Sequence, residues 1–168
     1  MNLIKDNIQK LDEVLILLEQ LSDEDYRKSI ELLSNASLGQ HLRHILEFYI
    51  CLQNGMEIGQ ICYDNRDRDK RIEESKEFAR IKIAEIKEFI YNVDTDLTIQ
   101  LQANYSLKDI KSNVINSSLY RELAYAMDHT IHHLAIIKIG LKALNNIQVD
   151  ENFGVAPSTI RYKQACAQ

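Results

Sequence analysis

Along residues 2–21, Leu3, Ile4, Ile8, Leu11, Val14, Leu15 and Leu18 recur every three or four positions, which draws one apolar stripe on a helix. Ser22 offers a cap for a second, short piece from Asp23 to Leu33, with Asp25 completing a weak form of the capping box. SNASLGQ interrupts the pattern. Ser37 with Gln40 forms a fuller capping box and opens a helix expected to run to about Asn54, with Gly55 as its stop. The stretch GMEIGQICYDNRDRD, 55–69, carries no helical period and reads as a loop crossing the domain. A charged amphipathic helix follows over about 67–91, turning Ile72, Ala79, Ile83, Ile86 and Ile90 inward. DLTIQLQANYS then alternates apolar and polar, and DIKSNVINSS could pair with it, so a small hairpin or extended excursion is expected over 92–117. Ser118 caps a long helix over about 119–145, ended by Asn145 and Asn146. The tail, ENFGVAPSTIRYKQACAQ, reads as mostly irregular, with a short turn of helix after Pro157.

Four long helices with insertions make an all-α chain. Their lengths and period predict a four-helix bundle, one domain over 1–168, with a small extended or hairpin insertion before the last long helix. Composition agrees: 5 glycines and 1 proline in 168 residues favour long regular elements over a many-turned sandwich. A net charge of -5 gives no reason to expect nucleic acid or an anionic membrane as partner. No apolar run approaches the ~18 residues a membrane span needs. Three cysteines without CxxC spacing, behind an amphipathic N-terminal stretch, lead us to expect reduced thiols in a cytoplasm. The chain has no glycine-rich phosphate loop and no G-x-S-x-G elbow, which removes nucleotide and esterase chemistry as first readings.

The histidines change the picture. All 5 fall in two helical stretches, LGQHLRHILEF and MDHTIHHLAIIKIGL. His129 and His133 stand at i, i+4, one above the other on a helix face, the spacing by which two imidazoles of HExxH hold one zinc ion. His132 rivals His133 as the partner of His129, at i, i+3. His41 and His44 stand at i, i+3 on another predicted helix. A bundle core can bring two such faces together. Two imidazoles from one helix and one from the other make a three-nitrogen site with a fourth position open, the pattern of catalytic zinc. An imidazole on so apolar a helix needs a partner, which a metal, a tyrosine or a carboxylate would supply.

GQHLRHILEF followed by DHTIHHLAIIKI resembles the DinB-like, or YfiT-like, superfamily of metal-dependent enzymes, and the resemblance covers nearly the whole chain. YDNRDRDKRIE, SSLYREL and FGVAPSTI are similar to one subgroup of it. The resemblance implies a bundle of up-down-down-up topology and a metal triad of His44, His129 and His133, so it favours His44 over His41 and His133 over His132. It also implies a divalent metal, zinc or nickel by imidazole preference, and homodimers. Activation of water or a low-molecular-weight thiol then follows as the expected chemistry, in a hydrolase or thiol S-transferase acting on a small molecule. The competing expectation is a non-catalytic, dimeric binding or stress-response bundle with a vestigial site.

Other residues are candidates beside the triad. Glu47, three residues after His44, is expected as a general base or as a partner of a ligand. Arg43, Arg121 and Tyr63 are candidate substrate contacts, although Arg121 beside Glu122 equally suits a local ion pair. His41 and His132 are accessory groups, for proton movement or core hydrogen bonding. The crossing loop, with Asp64, Arg66 and Arg68, could line the site or clamp it with paired charges. Cys51 suits a small buried hydrophobe.

Overall fold

A computed structural model describes residues 2–108, 111–144 and 147–167. The chain is mostly helical with a small sheet. Helix α1, Asn2–Gln20, buries Leu11, Val14, Leu17 and Leu18, four members of one stripe. Ser22 caps the short α2, Asp23–Arg27, by accepting from the Asp25 amide. The rest of the expected second piece is a separate turn of 3-10 helix at Glu31–Leu33. At α3, Leu38–Ile58, both halves of the Ser37–Gln40 capping box form.

Helix α3 does not stop at Gly55. It continues to Ile58 and ends at Gly59, whose φ of 71° is the left-handed cap that glycine adopts without strain. Gly55 is there for another reason: a Cβ on it would lie 2.1 Å from Ile61 Cγ2. The missing side chain lets strand β1, Gln60–Ile61, lie against the helix it has just left. The segment 55–69 is therefore not a plain loop. It holds the last helical turn, β1, and a 3-10 turn at Tyr63–Asn65.

The helix expected over 67–91 is two helices, α4, Lys70–Glu74, and α5, Lys76–Tyr91. Ser75 sits between them in extended backbone, φ -133°, and its hydroxyl accepts from the Phe78 amide. A serine that can cap has here started a new helix instead of continuing the old one. The apolar stripe survives the break, since Ile72, Ala79, Ile83, Ile86 and Ile90 are all buried.

The hairpin is present as β2, Thr98–Ala103, and β3, Asn113–Ser118, antiparallel, with Thr98 opposite Ser118 and Ala103 opposite Asn113. Ile99, Leu101 and Ala103 alternate into the core. The sheet has a third member: β1 pairs with β2 in parallel, Gln60 opposite Gln100. Asp109 and Ile110 of the expected pairing segment lie outside the described residues. Ser118 caps α6, Leu119–Leu141, by accepting from the Arg121 amide. The helix ends four residues before the expected Asn145–Asn146 stop, which lies outside the described residues. The tail carries more helix than one turn: α7 spans Pro157–Cys166.

Helices α1 and α3 each pack against both α5 and α6, so the four long helices close around one core. A buried polar chain crosses that core. Tyr49 on α3 donates to Asn7 Oδ1 on α1 at 2.8 Å, and Thr130 on α6 lies 3.3 Å from the Tyr49 hydroxyl while donating to Ala126 O. Buried polar groups demand partners, so this chain sets the rotation of α3 and α6 against each other. Among the described residues no helix is long and apolar enough to cross a membrane.

Candidate metal centre

The interface of α3 and α6 decides what the histidines do. On α3, Leu42, Ile45, Leu46 and Tyr49 are buried in the core, which leaves His41, His44 and Phe48 on the adjoining stripe at i, i+3 and i+7. On α6, Thr130, Leu134 and Ile137 are buried, and His129 and His133 share the neighbouring edge. The two edges meet. His44, His129 and His133, all half-buried, bring one ligand atom each to within 4.8 Å of one another. Ring centroids lie 4.9 Å apart for His44–His129 and 4.6 Å for both His44–His133 and His129–His133. Nε2 of His44 is 2.8 Å from Nε2 of His129.

Burial keeps these rings neutral. It is the first cause of a pKa lowered to about 4 at His44, with Arg66 and His129 adding to it, and to about 3 at His133, where the other histidines add. His129 is lowered too, by burial and then by His132 and Arg66. A metal needs the neutral imidazole with its lone pair free. Three neutral imidazoles converging from two helices, and no carboxylate or thiol among them, fit a divalent ion of zinc or nickel type.

The surroundings are specific. His41 Nδ1 lies 3.1 Å from His133 Nδ1, one ring donating and the other accepting, while His41 Nε2 is buried without a partner. Burial lowers the His41 pKa. His132 is exposed and edge-on to His133, centroids 5.4 Å apart. Of the two rival pairs, the structure thus brings His44 and His133 to the centre and leaves His41 and His132 beside it. Phe48 stacks on His129 at 4.2 Å and on Tyr63 at 4.7 Å, and Tyr125 flanks His129 at 5.9 Å. Of these aromatic walls, Phe48 and Tyr125 escaped the sequence reading. The signal was Phe48 and Tyr125, each four residues from a ligand on its own helix.

Glu47 is 3% exposed, and it does not meet an imidazole. Its Oε1 accepts from the Asp69 amide at 2.9 Å, and its two oxygens lie 3.4 Å from Nε of Arg43 and of Arg66. Burial raises its pKa against the pull of the two arginines. Arg66 is the link to the triad: Nη2 donates to His44 Nδ1 at 2.8 Å, and Nη1 to Tyr63 O at 2.8 Å.

The three candidate substrate contacts are already engaged. Arg43 pairs with Glu73 as well as Glu47. Tyr63 is buried and donates to Glu122 Oε2 at 2.8 Å, and burial together with that carboxylate raises its pKa. Arg121, 57% exposed, bonds the same Glu122 at 2.8 Å and lies over the Tyr125 ring. Glu122 is fully buried and also accepts from Ser117, so it ties β3, α6 and the loop after β1 together beside the triad. Asp64 accepts from the Asn104 amide, and Asp128 faces solvent. Cys51 donates its thiol toward Cys62 O at 3.5 Å, and burial pushes its pKa up, as suits a packed thiol.

The model of the DinB family matches residues 2–144. The FK506-binding protein 5 of Rhizopus delemar is 34% identical over 103 residues, covering 60% of this chain. The match spans about a quarter (26%) of that longer protein. No solved structure matches the chain.

Proposed function

Because the chain belongs to the DinB family, we propose that it is a metal-dependent enzyme that uses His44, His129 and His133 to hold zinc or nickel. The observation that carries this reading is the convergence of the three ligand atoms within 4.8 Å. A divalent ion there would supply a Lewis acid that makes water or a low-molecular-weight thiol nucleophilic near neutral pH. The reaction is then hydrolysis or thiol transfer on a small molecule. The packing of α1, α3, α5 and α6 supports reading the helical part as the up-down-down-up four-helix bundle, and on the family resemblance alone we take the active species as a homodimer.

The chain's own residues have distinct parts in this reading. Burial holds the three imidazoles neutral, the charge state that a metal ligand needs. Phe48 and Tyr63, stacked behind His129, keep water from one side of the site. Glu47 faces Arg43 and Arg66 rather than the imidazoles, so we assign it a positioning role, holding these two arginines beside the site. Tyr63 and Arg121 meet at Glu122 and shape the wall.

The test is metal content by elemental analysis of protein purified without a nickel column, together with thermal stability on adding Zn²⁺ or Ni²⁺. About one ion per chain is expected, with a raised Tm. The His129→Ala variant should stay folded and lose both. Absence of stoichiometric metal with an unmoved Tm would overturn the enzyme reading and leave the non-catalytic bundle.

A further inference from the structure

The contact between Arg66 and His44 conflicts with a metal on the triad. A guanidinium has donors and no acceptor. His44 Nδ1, 2.8 Å from Arg66 Nη2, therefore accepts, and the one proton of the neutral ring sits on Nε2. That Nε2–H faces His129 Nε2 at 2.8 Å, which accepts in turn. In this arrangement neither nitrogen of His44 has a lone pair free for a metal. Ligation through Nε2 would move the proton to Nδ1, where it would confront an Arg66 N–H donor to donor. Ligation through Nδ1 would need the place Arg66 itself holds. By either nitrogen, metal and this hydrogen bond exclude each other.

Arg66 has somewhere else to go. Its Nε is buried with no hydrogen bond, and so is Glu47 Oε2, 3.4 Å away. Both residues line a cavity of about 300 Å³ that Asp67 and Asp69 also border. A small rotation of the guanidinium would tighten this ion pair into a hydrogen bond, at the cost of the bond to His44. Charge favours the same move, because a cation beside a divalent ion is repelled while Glu47 attracts it.

We propose that Arg66 occupies two positions: it bridges His44 and Glu47 when the triad is free, and it gives up His44 and closes fully onto Glu47 when a divalent ion takes the three imidazoles. The loop between β1 and α4, which carries Arg66, then reports the metal state to the cavity beside α3. This rests on the metal-site reading above.

The test uses the full chain, Zn²⁺ alone as the probe, and nitrogen–proton NMR of the imidazole and guanidinium groups, with His44→Gln to assign the His44 signals. In the metal-free protein His44 should be the Nε2–H tautomer. One equivalent of Zn²⁺ should convert it to a form with the proton on Nδ1, or with Nδ1 ligated, and should shift the Arg66 Nε–H resonance. Arg66→Met, which removes both the hydrogen bond and the charge, should bind Zn²⁺ about tenfold more tightly by calorimetry. The NMR arm needs only the wild type, so it stands if that variant misfolds. Stoichiometric Zn²⁺ binding with unchanged His44 and Arg66 signals would overturn the switch and leave the metal site intact. So would a metal-free His44 already protonated on Nδ1, or an Arg66→Met variant that folds and binds no more tightly. Absence of any Zn²⁺ binding that His129→Ala abolishes would overturn the metal reading and the switch together.

Discussion

Metal-free protein should lose stability as the pH falls from 8 to 5, and the histidine pair His44 and His133 should account for most of the loss. Unfolded, each ring titrates near 6.5. Folded, His44 is lowered to about 4 and His133 to about 3, both chiefly by burial. The sign follows directly. Between about pH 6.5 and 4 the unfolded chain binds protons that the folded chain refuses, so acid favours unfolding throughout that window. At pH 5 the full linkage relation gives about 2 kcal/mol for each ring. The rings are only half-buried, and solvent screening reduces this to about 1 kcal/mol each, about 2 kcal/mol together. His41 and His129, also lowered by burial, add to the loss with the same sign, while Glu47, raised by burial, acts the other way and only at the acid end of the window. For a chain of 168 residues the expected fall in Tm is about 4–8 °C. The assay is thermal unfolding in chelator at pH 8 and pH 5, for the wild type and for His44→Gln/His133→Gln. The double variant should lose less than the wild type, keeping only the part that His41 and His129 contribute. Equal Tm values for the wild type at the two pH values, or an equal loss in the double variant, would refute the burial argument.

Three further outcomes are expected. His41→Ala should weaken Zn²⁺ binding by about 10–100-fold, and His41→Gln, whose carbonyl can accept from His133 Nδ1, should restore much of it by calorimetry; unchanged affinity in both would show that the 3.1 Å contact does not orient the ligand. Tyr63→Phe removes a donor from the fully buried Glu122 and should cost about 1–3 kcal/mol in urea unfolding. Gly55→Ala puts a Cβ where Ile61 Cγ2 stands and should cost about 1–3 kcal/mol while loosening β1, read as faster amide exchange at Gln100, whose N–H bonds Gly59 O; wild-type exchange there would refute the close-approach role of Gly55.

The helical skeleton was legible because its signals are local. Ser37 and Gln40 form the box that their spacing announces, and the isoleucines of α5 point where a 3.6-residue period sends them. The errors came where a non-local contact outvoted a local rule. Gly55 carries the composition of a helix stop, but its lack of a side chain serves the packing of Ile61, and Gly59 makes the stop four residues later. Ser75 reads as one polar residue in an amphipathic run. Its hydroxyl instead caps α5, and nothing in the period separates those two uses. Strand β1 is two residues long and exists only because Gln100, 40 positions away, offers it an edge.

The same division runs through the candidate metal site. Helical spacing on α6 offers two partners for His129, and adjacent residues on a helix point about 100° apart. The flanks cannot choose between them, since the helix is apolar nearly all round. The choice is made by α3: the chain Asn7–Tyr49–Thr130 fixes the rotation of α6, which turns His133 inward beside His44 and leaves His132 exposed. Family resemblance reached His44 and His133 without this physics, because it carries the outcome of that packing in its motif. Arg66 had no such route. It sits 22 residues beyond His44 in an irregular loop, and its reach to Nδ1 depends on β1 docking against β2 and on the Asp69 amide meeting Glu47. A motif that names ligands says which atoms converge. Whether those atoms are free to bind depends on the donors around them, and those donors arrive from parts of the chain that only the tertiary fold brings near.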